Sequence, residues 1–224
     1  MRIAHKRILK EYLVLCEGKD IELFLISYLN SDALHSDSRF ANEIQTFDFG
    51  GVDQLSAFIG NLKNMEGFES VHSLLILRDA EMDVAKAERD IQSALRKNGL
   101  SVPLSCCRWE RSGTPAVSYV LMPSCDSAPI AGALEDLCWQ ILAGKDAAKV
   151  SIETERFINR VKERFPMRIV SHGHKSRLHA YLSTSDELVS LKIGEAAKAG
   201  AFDWHSKRLD SLRNVLAEGF HEEG

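Results

Sequence analysis

The stretch YLVLCEGKDIELFLISYL, residues 12–29, carries the reading of the fold. Its first five residues form a short, continuous apolar run, Glu17-Gly18 breaks it, and DIELFLISYL (20–29) places apolar residues at helical spacing. Strand, turn and helix follow directly. The same grammar returns twice. IQTFDF (44–49) passes through Gly50-Gly51 into VDQLSAFIGNLKNM, and VHSLLIL (71–77) passes through RDAEMD into VAKAERDIQSALRKN, which Gly99 ends. Three consecutive strand–helix units predict an α/β fold of Rossmann-like type, with a mainly parallel sheet and helices on both faces.

Beyond Pro103, LSCCRW and AVSYVLM read as two further strands separated by ERSGTP. ALEDLCWQILAG, SIETERFINRVKERF, KSRLHAYLS and SKRLDSLRNVLAEGF then read as helices. The expected organisation is an α/β domain over 1–144 with a helical C-terminal extension, 145–224, packed on it. No repeat, low-complexity tract or long linker interrupts the chain.

Composition narrows the setting. With 224 residues, 45% of them hydrophobic, the chain can bury a sizeable core without staples. It contains no run of eighteen apolar residues and no signal-peptide pattern, so no membrane association and a cytoplasmic location are expected. Cys16, Cys106, Cys107, Cys125 and Cys138 are odd in number and form no CxxC pair, which suits a reducing compartment. Net charge is −4, so any nucleic-acid contact needs a local patch. Residues 1–144 carry 14 basic and 20 acidic side chains, whereas 145–224 carry 14 and 12.

In an open α/β sheet, ligands bind beyond the carboxyl ends of the strands. Glu17 directly follows the first strand, beside a glycine that permits a sharp turn or close phosphate approach. Asp79 and Glu81 follow the third strand, and i, i+2 spacing in extended chain would turn both carboxylates to one side. Together these acids make a hard oxygen site suited to Mg²⁺ or Mn²⁺. The structural alternative is helix capping, a role that Asp20 and Asp83 fit.

LVLCEGKDIELF and LLILRDAE resemble the strand–Glu-Gly–helix and strand-end Asp-x-Asp signatures of the Toprim superfamily, shared by topoisomerases, bacterial primases and overcoming-lysogenization-defect (OLD) nucleases. The resemblance spans about residues 10–185, is nearest to small stand-alone Toprim-related proteins, and extends to the phrases FGGVDQL, VLMP and GALEDL. It implies a metal-dependent nuclease or related phosphoryl-transfer enzyme acting on DNA or RNA, or an idle Toprim-like binding or regulatory module. By resemblance, Glu17 is a general acid/base or metal-linked carboxylate, Asp79 and Glu81 hold the ion, and Glu135 and Asp136 extend the acidic site. Lys175 matches a lysine that follows in similar proteins, and the resemblance implies a catalytic role for it in contacting a phosphate as a mobile point charge. A homodimer or a subunit of a larger complex would fit such a protein.

Three departures matter. Glu81 stands where aspartate is usual, moving its carboxylate by ~1.5 Å. Ile21 stands where relatives often carry another acid, leaving Asp20 or Glu22 for that task. Arg78 precedes Asp79 and can pair with the carboxylates, weakening a metal site.

Other features carry less. His172 and His174 lack further zinc-spaced ligands, and Cys106-Cys107 reads as a buried thiol pair. Gly50-Gly51 lacks the rest of a P-loop, and Ser183-Thr184-Ser185 has no nucleophile-elbow frame. Trp109, Trp139 and Trp204 are too scattered for a base-stacking platform. A phospho-accepting receiver built on Asp79 would need paired acids after the first strand, which Glu17-Gly18 does not supply.

Overall fold

The computed structural model describes residues 7–165 and 173–220. Among them follow β1 (Tyr12–Glu17), α1 (Gly18–Leu29), α2 (Arg39–Asn42), β2 (Ile44–Gly50), α3 (Leu55–Leu62), β3 (Ser73–Asp79) and α4 (Val84–Lys97). The second half holds β4 (Ala116–Met122), α5 (Leu134–Gln140), α6 (Ala147–Arg164), α7 (Gly173–Leu182), α8 (Ile193–Lys198) and α9 (Asp210–Glu218). Among the described residues, no helix is long and apolar enough to cross a membrane.

The four strands form one parallel sheet in the order β2-β1-β3-β4. Side chains alternate between its faces because successive residues of a strand point to opposite sides. Val14, Cys16, Leu75, Leu77, Val120 and Met122 pack under α1, α5, α7, α8 and α9. Leu13, Leu15, Leu74, Ile76, Val117 and Leu121 pack under α3 and α4. Both faces are covered, which is why β1, β3 and β4 read as largely apolar runs, whereas the edge strand β2 is interrupted by Gln45, Thr46 and Asp48. Each fully buried leucine or phenylalanine contributes about 1.5–3 kcal/mol. The C-terminal helices share the first of these cores with the sheet, through Leu178, Leu182, Ile193, Leu212 and Leu216.

Strand order creates one distinctive place. From β1 the chain moves to β2 on one side, then crosses back to β3 on the other, so the winding reverses between β1 and β3. Their helices leave on opposite faces and open a crevice at the carboxyl ends of those two strands.

The structure corrects two expectations. LSCCRW is not a strand: residues 104–107 form bends and turns, and Cys107 adopts a left-handed φ of 61°. An antiparallel bridge between Glu110 and Val117 and a hydrogen bond from the Cys107 N–H to the Tyr119 carbonyl at 2.8 Å tie this stretch to β4. Cys106 is fully buried and fills the core, with Cys107 and Trp109 packed partly against it, whereas Leu104 stands exposed. In addition, α8 was not read as a helix from sequence. It is six residues long, too short for a clear period, and is held through Gly194, whose N–H donates to Asp20 Oδ1 at 3.1 Å.

Candidate active site

Glu17 ends β1 and Gly18 takes a left-handed φ of 77°. A Cβ added at Gly18 would meet nothing within 4 Å, so open space lies beside this turn. Glu17 is the residue preceding α1, yet its side chain makes no cap hydrogen bond. Its Oε2 instead reaches across the crevice and accepts from the Asp79 backbone N–H at 3.3 Å.

Asp79 ends β3. Strand alternation sends Arg78 toward α4 and Asp79 toward α5. Asp79 Oδ1 accepts from the Leu134 N–H at 2.8 Å, using an otherwise orphan donor of the first turn of α5. That bond brings Glu135 into the neighbourhood. The Asp79 carboxyl is pushed up to about 8 by burial, against the Leu134 bond, with Glu135, Glu17 and Glu81 adding repulsion. Glu17 is also raised, first by burial, while Arg78 pulls it down.

Glu135 is buried, and its Oε1 lies 3.5 Å from Lys175 Nζ on α7. Asp136 has both oxygens engaged. Oδ2 accepts from the Ala133 N–H at 3.0 Å, capping its own helix, and Oδ1 accepts from Arg177 at 3.0 Å. Arg177 also stacks on Trp139, so this corner is braced.

Glu81 departs from expectation. The chain does not stay extended after Asp79: Glu81 has a left-handed φ of 55° and exchanges both backbone hydrogen bonds with Gly132. The two carboxylates therefore do not share one extended face, and Glu81 lies at the exposed mouth. The acids considered as substitutes for Ile21 are occupied elsewhere. Asp20 holds Gly194, and Glu22 is buried against Lys19 and Thr46. Ile21 itself is core.

Arg78 pairs with these acids, as its place beside Asp79 in the sequence predicts. Only 2% exposed, it sets Nε 3.4 Å from Glu17 Oε2 and Nη2 3.5 Å from Asp90 Oδ2. One guanidinium thus already neutralises part of the site. Nothing in the local pattern marks Asp90, the seventh residue of α4, as part of the site.

Among the described residues, no three His, Cys, Asp or Glu side chains already stand in an arrangement that could hold a metal ion. The donor chemistry nevertheless fits a hard cation. Glu17, Asp79 and Glu135 supply carboxylate oxygens, and a cation would offset the burial that raises Asp79 and the lesser repulsion that its acidic neighbours add. Side-chain rotation would be needed to close the set. Asp83, by contrast, is a cap: its Oδ1 accepts from the Lys86 N–H at 2.9 Å.

The features set aside on sequence grounds take structural roles. Trp109 donates to the Val215 carbonyl, and Trp204 packs on Phe24, Tyr28 and Phe202. All five cysteines are free, and burial pushes the Cys16 and Cys138 thiols up. His172 lies outside the described residues, as do residues 1–6 and 221–224. A cavity of about 610 Å³ between Tyr12, Ser73, Arg111 and Phe220 opens at the amino ends of the strands, away from the acids.

This chain belongs to the family described as protein of unknown function DUF3226, whose model matches residues 11–221. Neither a search of curated proteins nor one of solved structures finds a match.

Proposed function

We propose that this chain is a divalent-metal-dependent nuclease or related phosphoryl-transfer enzyme acting on DNA or RNA, with its site in the crevice between β1 and β3. The observation that carries this reading is the meeting of Asp79 with Glu17 and Glu135 at the reversal of strand winding, where the repelling carboxylates lack a full counter-charge. The resemblance of the Glu17-Gly18 and Asp79-to-Glu81 segments to Toprim nucleases points the same way.

In this reading, Glu17, Asp79 and Glu135 would hold Mg²⁺ or Mn²⁺, with Glu81 at the mouth. When bound, the ion supplies positive charge to phosphate oxygens and an activated water. Glu17 holds or moves a proton at Oε2, a task its raised pKa suits nearer neutral pH. Lys175 meets a phosphate as a point charge. Asp136 positions Arg177 and the first turn of α5 rather than binding the ion. The open space beside Gly18 leaves room for a backbone phosphate to approach. A cytoplasmic setting agrees with five free cysteines.

Arg78 favours a second reading. A buried guanidinium beside Glu17 and the Lys175 ammonium beside Glu135 already offset part of the acidic charge, as an idle nucleic-acid-binding or regulatory module would permit.

Titrating Mn²⁺ calorimetrically into the wild type and Asp79→Asn separates the two readings. The amide keeps an acceptor for Leu134 but loses the charge. The enzyme reading expects modest binding in the wild type and none in the variant. Equal heats in both proteins would sink it.

A further inference from the structure

The longest helix in the structure is the one least absorbed by the core. Over α6, only Ala147 and Thr154 are buried, although the helix is amphipathic. Val150, Thr154, Phe157 and Val161 recur at i, i+4, i+7 and i+11 and define one stripe. Phe157 on that stripe is 58% exposed. Beside it, Ala180 of α7 and Ser183 and Thr184 of the turn that follows form the low wall of an open groove of about 700 Å³, which Val150, Thr154 and Phe157 line from the other side. An exposed aromatic beside an apolar groove is costly in water and marks a docking surface.

Charge along α6 says what docks there. Asp146, Glu153, Arg160 and Arg164 follow at intervals of seven, seven and four along one flank of the stripe, with the acids at the start of the helix and the bases at its end. All four are exposed. Their present partners are local: Asp146 pairs with Lys149 and Glu153 with Arg156, contacts worth little on a surface. Reversing a second α6 across a two-fold axis between Glu155 and Arg156 sets Val150 opposite Val161 and Thr154 opposite Phe157. The same operation brings Glu153 beside Arg160 and Asp146 beside Arg164. Apolar stripe and charged flank are therefore self-complementary in one antiparallel register, as a closed two-fold interface requires.

We propose that α6 and the adjoining groove form a self-association surface, through which two copies of this chain pair with their α6 helices antiparallel and Phe157 of each enters the groove of the other. The eighteen residues of α6 span about 27 Å, so the interface is small and the dimer weak, in the micromolar range. The acid site of each copy is complete without the other.

Sedimentation velocity over a concentration series tests this, with circular dichroism to confirm folding. The wild type should convert from monomer to dimer in the micromolar range. Phe157→Glu should raise the dissociation constant at least roughly tenfold, since it places a charge in the apolar groove. Glu153→Arg and Arg160→Glu should each weaken self-association, because like charges then oppose across the axis. Mixed together, those two charge variants should dimerise with each other more tightly than either does alone. A wild type that stays monomeric at hundreds of micromolar overturns the proposal and leaves the groove to a different protein. A dimer indifferent to Phe157→Glu overturns it as well. So does a mixture of the charge variants with no preference for the heterodimer.

Discussion

The N–H of Leu134 donates to Oδ1 of Asp79 at 2.8 Å, tying the first turn of α5 to the end of β3 across 55 residues of sequence. Through this bond, one carboxylate both organises the crevice and suffers its repulsion. Asp79 satisfies a helix-end donor and stands close to Glu135, and burial above all, with the repulsion of Glu135, Glu17 and Glu81 added, holds its proton far above the ordinary range against the pull of the Leu134 bond.

Stability should record that proton. The folded-state pKa of Asp79 is raised to about 8 from 3.8, so between these values the folded chain keeps a proton that the unfolded chain has released. Its contribution is therefore fully present below the unfolded value and is lost as pH rises through the window to about 8. Asp79→Asn removes the titrating group and keeps the acceptor. Relative to wild type, the variant should gain on the order of 5 kcal/mol between pH 4 and pH 8.5 in urea unfolding without metal. A constant difference across that range would show that Asp79 ionises normally.

Cleavage should depend on Glu17. Glu17→Gln is nearly isosteric and can still accept from the Asp79 N–H, but it cannot take up a proton or carry charge. With Mg²⁺ or Mn²⁺ present, plasmid, single-stranded DNA and RNA should be cut by the wild type and at least about 100-fold more slowly by the variant. Wild-type protein inert toward all three would shift the assignment to the binding module.

Arg78 decides how much of the site is open to a cation. Replacing it by Met leaves Glu17 without its buried counter-charge, so metal-free stability should fall by about 1–3 kcal/mol. An added divalent ion can then take over the neutralising role. Saturating Mn²⁺ should raise the melting temperature of Arg78→Met by more than it raises that of wild type, since linkage converts tighter binding into stability. Equal or smaller rescue would argue that Arg78 and the ion do not compete.

Lys175 tests whether α7 contributes to the nucleic-acid surface. It is half exposed and stands 3.5 Å from Glu135, so it can swing to a phosphate without unfolding anything. Lys175→Ala should weaken binding of a labelled oligonucleotide and reduce the log–log salt slope by roughly 0.7 to 0.9. Lys175→Arg should recover part of the affinity, because the charge survives the change in donor geometry. Identical slopes for all three proteins would return Lys175 to the ordinary surface.

Much of the architecture was legible because it rests on local pattern. YLVLC, VHSLLIL and AVSYVLM are short, mainly apolar runs covered on both faces, the edge strand IQTFDF mixes apolar and polar residues, and the turns after the first three strands carry the glycines and acids that end strands. The candidate acids Glu17 and Asp79 were visible for the same reason: each directly follows such a run. LSCCRW carried the same signal misleadingly, since an apolar segment wanted as core filler cannot be told from a strand by composition alone.

What sequence determined by itself, then, is the succession of strands and helices and the acids at two strand ends, because periodicity and turn chemistry act over a few residues. Tertiary structure alone decided which groups meet. Parallel pairing placed β1 beside β3, a backbone donor from α5 seized Asp79, and Arg78 turned under α4 to Glu17. The left-handed turn at Glu81 undid an extended spacing that looked favourable in one dimension. Such contacts join residues tens of positions apart. They depend on strand order and on how the helix ends are satisfied, and these are settled only when the whole core closes.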